Sequence, residues 1–318
     1  MTRFHAFVLA VLVSGSAAAQ PFPSKPVRIM VGSAAGGGTD IVSRLLAAKL
    51  QEFWGQPVVV ENRTGASASI AAEFVARSAP DGHTVVMAVP NSHTIEPHLM
   101  KPSYDVLKDF TPITLAASVP HVLVVGSGSS IMTMRDLVGQ AKAQPGKLNF
   151  SSSGIGATQH LAGELLNLVA GVKTVHVPYK GSAAAMNDLI AGAVTFSLDT
   201  TASSIGQIRG GKLRPLAVAA PQRSPALPSV PTTAEAGFPG VVMTTWYGLF
   251  GPAGMPKAVT DKWHQDVVRA LALPDVKERI EGLAGDPGGM RPEEFGAYIR
   301  DQWSRMGKLV KEADVKGE

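Results

Sequence analysis

The stretch Val27-Arg28-Ile29-Met30-Val31-Gly32-Ser33-Ala34-Ala35-Gly36-Gly37-Gly38-Thr39-Asp40 decides the fold. Its first five residues read as a buried strand over 27–31. The small residues that follow form a tight turn, and from Asp40 the chain takes up helical spacing, with Ile41, Leu45, Leu46, Ala48 and Leu50 apolar over 40–53. A strand that enters a glycine-rich turn and then a helix is the opening of a βαβ unit, which implies a parallel sheet.

The pattern continues outward. Val58-Val59-Val60 is a second strand, 69–77 a helix and 84–89 a third strand after the Pro80-Asp81-Gly82 turn. A second series begins near His121: strand 121–125, helix 133–143, strand 148–151, helix 157–169, strand 173–177, helix 182–191, strand 194–198, helix 202–209 and strand 213–219. A proline-rich segment, 221–239, leads to a strand-like run over 241–250 and to helices at 257–272, 274–283 and 292–313. The expected fold class is α/β with two lobes, each a mainly parallel sheet flanked by helices. Lobe 1 is expected to comprise 20–122 and 244–318, with the C-terminal helices packed on it, and lobe 2 to comprise 123–243.

Composition narrows the function. Of 318 residues 45% are hydrophobic and 17% charged, enough to bury a sizeable core. The net charge of +4 attracts anions without the dense basic stripe of a nucleic-acid binder. The absence of Cys removes thiol catalysis, disulfides and Cys-ligated metals. Arg3, the apolar run 7–13 and Ala17-Ala18-Ala19 read as a secretory signal peptide over 1–19, so a periplasmic location is expected.

The turn at 32–40 has two readings. It is a glycine-permitted tight turn with Thr39 or Asp40 as helix cap, or a ligand site at which a helix N-terminus offers free amides to an anion. The spacing is not G-x-G-x-x-G and no GK[ST] follows, so it is no nucleotide fingerprint. The second series repeats the device: strand 148–151 enters Ser151-Ser152-Ser153-Gly154-Ile155-Gly156-Ala157-Thr158-Gln159-His160. Two such turns at the carboxyl ends of parallel strands suit a small carboxylate, which wants several N–H and O–H donors, better than a phosphate. Catalytic sets are missing from the sequence. G-x-S-x-G is absent, and Gly206-x-x-x-x-Gly211-Lys212 runs on into Leu213 with helix-to-strand polarity instead of a P-loop's. His160 and Glu164 share a helix face without a third metal ligand, and read as a helix-start histidine and a salt-bridging glutamate; His93 and His98 are expected in a loop.

Longer motifs then accumulate: Gly36-Gly37-Gly38-Thr39-Asp40, Gly55-Gln56-Pro57-Val58-Val59-Val60-Glu61-Asn62-Arg63, Ala79-Pro80-Asp81-Gly82-His83-Thr84, Pro145-Gly146-Lys147-Leu148-Asn149-Phe150, Val177-Pro178-Tyr179-Lys180-Gly181, Leu213-Arg214-Pro215-Leu216-Ala217-Val218 and Trp246-Tyr247-Gly248-Leu249-Phe250. In this order they resemble the Bug-type receptors of tripartite tricarboxylate transporters, across essentially the whole chain after the leader. The resemblance implies a periplasmic receptor, not an enzyme, that closes two lobes on a small carboxylate-bearing solute and delivers it to membrane permease components. It implies a monomer, with neither cofactor nor metal. Carried over by position, the ligand contacts are Ser33, Ala34, Gly36, Gly37 and Thr39 in the first turn, and Ser152, Ser153, Gly156, Ala157 and Thr158 in the second. Asp199 and Thr200 join them at the end of strand 194–198, where the family often places an acidic residue toward the cleft, and Tyr179 either joins the site or shapes the lobe. Trp246 and Tyr247 read as hinge packing. The chain departs from the family at Gly32-Ser33-Ala34-Ala35, where aromatic and proline residues are common, and at Thr200-Thr201. Two other functions compete on the same scaffold: a receptor that reports its ligand to a membrane kinase, and an exported hydrolase or lyase.

Overall fold

A computed structural model describes residues 22–317. The signal-peptide reading over 1–19 lies outside the described residues. The first lobe opens with strand β1 (Val27–Val31), helix α1 (Gly38–Trp54), β2 (Val58–Asn62), α2 (Ser69–Ala76) and β3 (Thr84–Ala88). Strand β1 runs parallel to both β2 and β3, as the opening motif predicts. Helix α1 buries Val42, Leu46, Ala47 and Leu50 along one face and stops at Gly55, whose φ of 62° is the left-handed conformation that glycine adopts without a Cβ clash.

A π-turn over Asn91–Ile95 and the short α3 (Glu96–Leu99) lead into β4 (Phe110–Gly126), a strand of 17 residues of which the sequence pattern reveals only the second part. The first part hides for two reasons. It is buried on both faces and so lacks alternation, and it carries Pro112 and Pro120, which argue against a central strand. The register against its partner shifts beside Pro112, and Pro120 stands where β4 changes partners, so neither proline interrupts a regular ladder.

Beyond β4 the second lobe follows the expected order: α4 (Met134–Ala143), β5 (Asn149–Ser152), α5 (Thr158–Ala170), β6 (Val175–Pro178), α6 (Ser182–Ala191), β7 (Phe196–Thr200), α7 (Thr201–Arg209) and β8 (Leu213–Val218). Strand β9 (Thr244–Pro252) then returns to the first lobe, ahead of α8 (Lys257–Leu271), α9 (Pro274–Gly282), β10 (Asp286–Pro287) and α10 (Pro292–Glu312). The strands join in the order β2-β1-β3-β9-β4-β7-β5-β6, with β8 and β10 also on β4. The two α/β series therefore share β4: its first part pairs antiparallel with β9 from Phe110↔Pro252 to Pro120↔Thr244, and its second part pairs with β7 and β8.

Each lobe has its own apolar core. Val27, Ile29, Leu46, Val85 and Trp263 pack together in the first, and Leu123, Phe150, Leu161, Phe196 and Leu198 in the second. Burying each such large side chain is worth roughly 1.5–3 kcal/mol against its exposed state. Helix α10 does not keep to the first lobe as expected. Its Phe295 and Ile299 pack with Trp246 and Phe250, whereas Met306, Leu309 and Val310, about two to four turns further on, enter the core of Phe150 and Leu161.

Candidate functional site

The first glycine turn is held from behind. Gly32 packs so closely on Ala68 that a Cβ at Gly32 would lie 2.3 Å from the Ala68 Cβ. Asn62 Nδ2 donates to the Ser33 carbonyl at 3.0 Å and to Asp40 Oδ1 at 2.9 Å, and Arg44 Nε donates to the same carboxylate. Asp40 does not cap α1 from its start but folds back to accept the Gly36 amide at 2.9 Å. Burial pushes its pKa up, yet the bonds from Arg44, Gly36 and Asn62 together outweigh burial and hold it below the ordinary value. Its charge is thus spent on the turn. Gly37, the residue before α1, gives the helix no side-chain cap, which leaves first-turn amides for another acceptor. The Ser33 hydroxyl oxygen is buried and, among the described residues, has no partner.

The second turn is built the same way from different residues. Ser152 Oγ lies 2.6 Å from His176 Nε2 and takes the Gly154 amide at 3.1 Å, while Gly156 N donates to His160 Nδ1 at 3.2 Å. His160 and His176 stack with centroids 3.6 Å apart, and burial pushes both down to about 4, so both are neutral rings. His160 thereby serves the turn; Glu164 stands 3.9 Å from it, and no metal-binding group of three ligands gathers among the described residues. Helix α5 also starts without a side-chain cap, from Ala157.

Strand β9 joins the two turns. Thr245 and Tyr247, two residues apart, project from the same face. Thr245 Oγ1 lies 3.3 Å from the hydroxyl of Thr158, the first residue of α5. The Tyr247 hydroxyl reaches Gly38, the first residue of α1, so closely that a Cβ there would meet it at 2.5 Å. Burial, and then the neighbouring Asp199, push the Tyr247 phenol up to about 12, so its hydroxyl stays neutral. His121 completes the junction, 3.1 Å from Thr245 Oγ1.

The other expected residues divide. Asp199 is buried and takes Gln159 Nε2 at 2.9 Å and the Thr200 amide at 2.7 Å, so its charge is met from within the lobe; burial raises its pKa against those bonds. Thr200 caps α7 through Ser203 N. Tyr179 aims its hydroxyl at Asp188, 2.7 Å away, and the residue lines a cavity of about 490 Å³ with Ser153, Gly154, Gly156, Ser67 and Glu96. Thr39 is buried, and Ala34 and Gly36 are exposed on the turn. His93 lies in the π-turn and not in a loop, fully buried among Phe110, Phe250 and Trp246. Gln159, Thr245 and Glu96 escaped the sequence reading because their roles arise from contacts far along the chain.

Comparison with known proteins assigns this arrangement. The family model of the tripartite tricarboxylate transporter family receptor matches residues 42–315. The chain belongs to this receptor family. Protein BugT of Bordetella pertussis is 32% identical to the receptor over 322 residues, covering 99% of both chains. A protein from the tcbD-tcbE intergenic region of Pseudomonas sp. strain P51 is 36% identical, covering 98% of the receptor and 94% of that protein. The receptor is also similar to three solved structures. The periplasmic binding protein BugD is 35% identical with a TM-score of 0.81, covering 93% of the receptor and 100% of BugD. Rpa4515 of R. palustris with adipate is 34% identical with a TM-score of 0.84, covering 93% and 99%. MatC of Rhodopseudomonas palustris with bound malate is 32% identical with a TM-score of 0.79, covering 91% and 100%. The family and these neighbours are solute-binding receptors, and the Bug-type resemblance is borne out.

Proposed function

We propose that the receptor works in the periplasm, exported by the leader over 1–19, and holds a small organic acid between lobe 1 (20–122 and 244–318) and lobe 2 (123–243). The observation that carries this reading is that Thr245 and Tyr247 touch the first residues of α5 and α1, so that two uncapped helix starts, one from each lobe, converge on one strand. Ser33, Ala34, Gly36, Gly37 and Thr39 then line one side of the ligand and Ser152, Ser153, Gly156, Ala157 and Thr158 the other, with the free first-turn amides of α1 and α5 taking the carboxylate oxygens. Asp199 holds Gln159 of α5 behind the second turn, Thr200 caps α7 beside it, and Tyr179 lines the mouth. The bound adipate and malate of the two neighbours support an organic acid as ligand. The loaded receptor, a monomer, delivers its solute to membrane permease components.

Thermal melting against mono- and dicarboxylates tests the reading, because a ligand that binds only the folded state raises the midpoint with concentration. A concentration-dependent rise with at least one acid, matched by heat on calorimetric titration, is expected. No rise with any acid from two to seven carbons would overturn it.

A further inference from the structure

Glu96, at the start of α3, lines the cavity that holds Ser153, Gly154 and Gly156 of the second turn. It is one end of a buried chain of oxygen atoms. Glu96 Oε2 contacts Ser69 Oγ; Ser69 Oγ lies 2.7 Å from Tyr104 Oη; Tyr104 Oη lies 2.7 Å from the Ser92 carbonyl. Each of the three contacts needs one proton. The Ser92 carbonyl has none to give, so Tyr104 donates to it, and Ser69 is then the donor to Tyr104. Ser69 has no second proton for Glu96. The chain closes only when the carboxyl of Glu96 carries the third proton and donates it to Ser69.

We propose that Glu96 is a neutral carboxylic acid that turns its remaining carbonyl oxygen, Oε1, to the cleft, so that the receptor prefers an organic acid whose far end donates a hydrogen bond, a hydroxyl or an amide, over a plain diacid of equal length. This rests on the reading of the cleft as an organic-acid site. Oε1 makes no hydrogen bond among the described residues, and burial raises the carboxyl pKa against the opposing pull of the Ser69 contact. A ligand hydroxyl satisfies Oε1. A ligand carboxylate meets it acceptor to acceptor, which leaves both unpaired. Leu99 and Met100 supply apolar wall for the carbon chain between the two ends. Lys180, on the same cavity, is exposed, so water screens its pull on a second carboxylate.

Calorimetric titration with three matched series of three to seven carbons tests this: α,ω-diacids, ω-hydroxy acids and ω-amide acids. The unmodified receptor is expected to bind the best hydroxy or amide acid at least about tenfold more tightly than the diacid of its length. Glu96→Gln keeps a donor to Ser69 and a carbonyl to the cleft, so it should keep the preference; Glu96→Met should erase it, with folding checked by melting. A diacid bound as tightly as its partners, a Gln variant that swings tenfold toward diacids, or a Met variant that keeps the preference would each overturn the proposal while leaving the receptor reading intact. Binding by no series would overturn both.

Discussion

The hydroxyl of Thr245 stands 3.3 Å from that of Thr158, one on the strand that returns to the first lobe and the other on the first residue of a second-lobe helix. Two places on from Thr245, Tyr247 makes the matching approach to Gly38. Removing the Tyr247 hydroxyl should therefore weaken the ligand without weakening the fold, since it makes no hydrogen bond among the described residues. Tyr247→Phe is expected to raise Kd about fivefold to tenfold, the worth of one hydrogen bond, with the melting midpoint of the free protein unchanged. Titration of the variant with the best acid checks this, and an unchanged Kd would remove Tyr247 from the site.

Gly37 precedes α1 with φ −74° and ψ 164°, extended backbone open to any residue, and a Cβ there meets nothing closer than the Ala34 carbonyl at 3.4 Å. Valine at this position should fold. Its methyl groups would cover the amides at the start of α1, and binding should fall by at least about tenfold. A folded Gly37→Val protein with unaltered affinity would show that the ligand does not use this turn.

Gly163 lets α5 lie against β5, because a Cβ there would fall 2.1 Å from the buried Phe150 ring. Gly163→Ala is expected to destabilise the protein by about 1–3 kcal/mol, despite alanine's better helix propensity. Urea unfolding measures it; a stabilised variant would mean that the ring yields freely.

Four histidines lead the acid response, and His98 and His264, lowered by burial too, act in the same sense. Burial pushes His93 down to about 3 and His121, His160 and His176 to about 4. An unfolded histidine titrates near 6.5, so between about 6.5 and 4 the unfolded chain binds protons that the folded one refuses. The stability they contribute is complete above that window and is lost as pH falls through it. Asp199, Glu96 and Glu164, raised by burial, act in the opposite sense and offset part of the loss. Urea midpoints from pH 7.5 to 4.5 should fall, and His93→Phe should flatten the slope. Level midpoints in the unmodified protein would contradict the neutral state of these rings.

The opening strand, turn and helix were legible in the sequence because β-branched residues, glycines and helical spacing follow one another without a gap. So were both glycine turns. The first part of β4 was not, since Pro112 and Pro120 are tolerated only through a register shift and a change of partner that no local pattern encodes. Gln159 could be read as helix surface until β7 brings Asp199 to it across 40 residues. The family resemblance points Asp199 toward the cleft, and the assembled sheet brings that amide and the Thr200 backbone to one oxygen of its carboxyl. Contacts of this separation depend on the assembled sheet, and local spacing carries no record of them.

Helix α10 joins two apolar cores, with Phe295 packed beside Met30, Val86 and Trp246 in a cluster of the first lobe and Met306 in the core of the second. A chain with two lobes would ordinarily melt in two steps, each lobe losing its packing at its own midpoint. Here neither core can dissolve without stripping apolar surface from a helix that the other still holds. The helix makes the lobes partners in a single folding equilibrium, so that a solute which grips only one glycine turn still steadies the whole molecule.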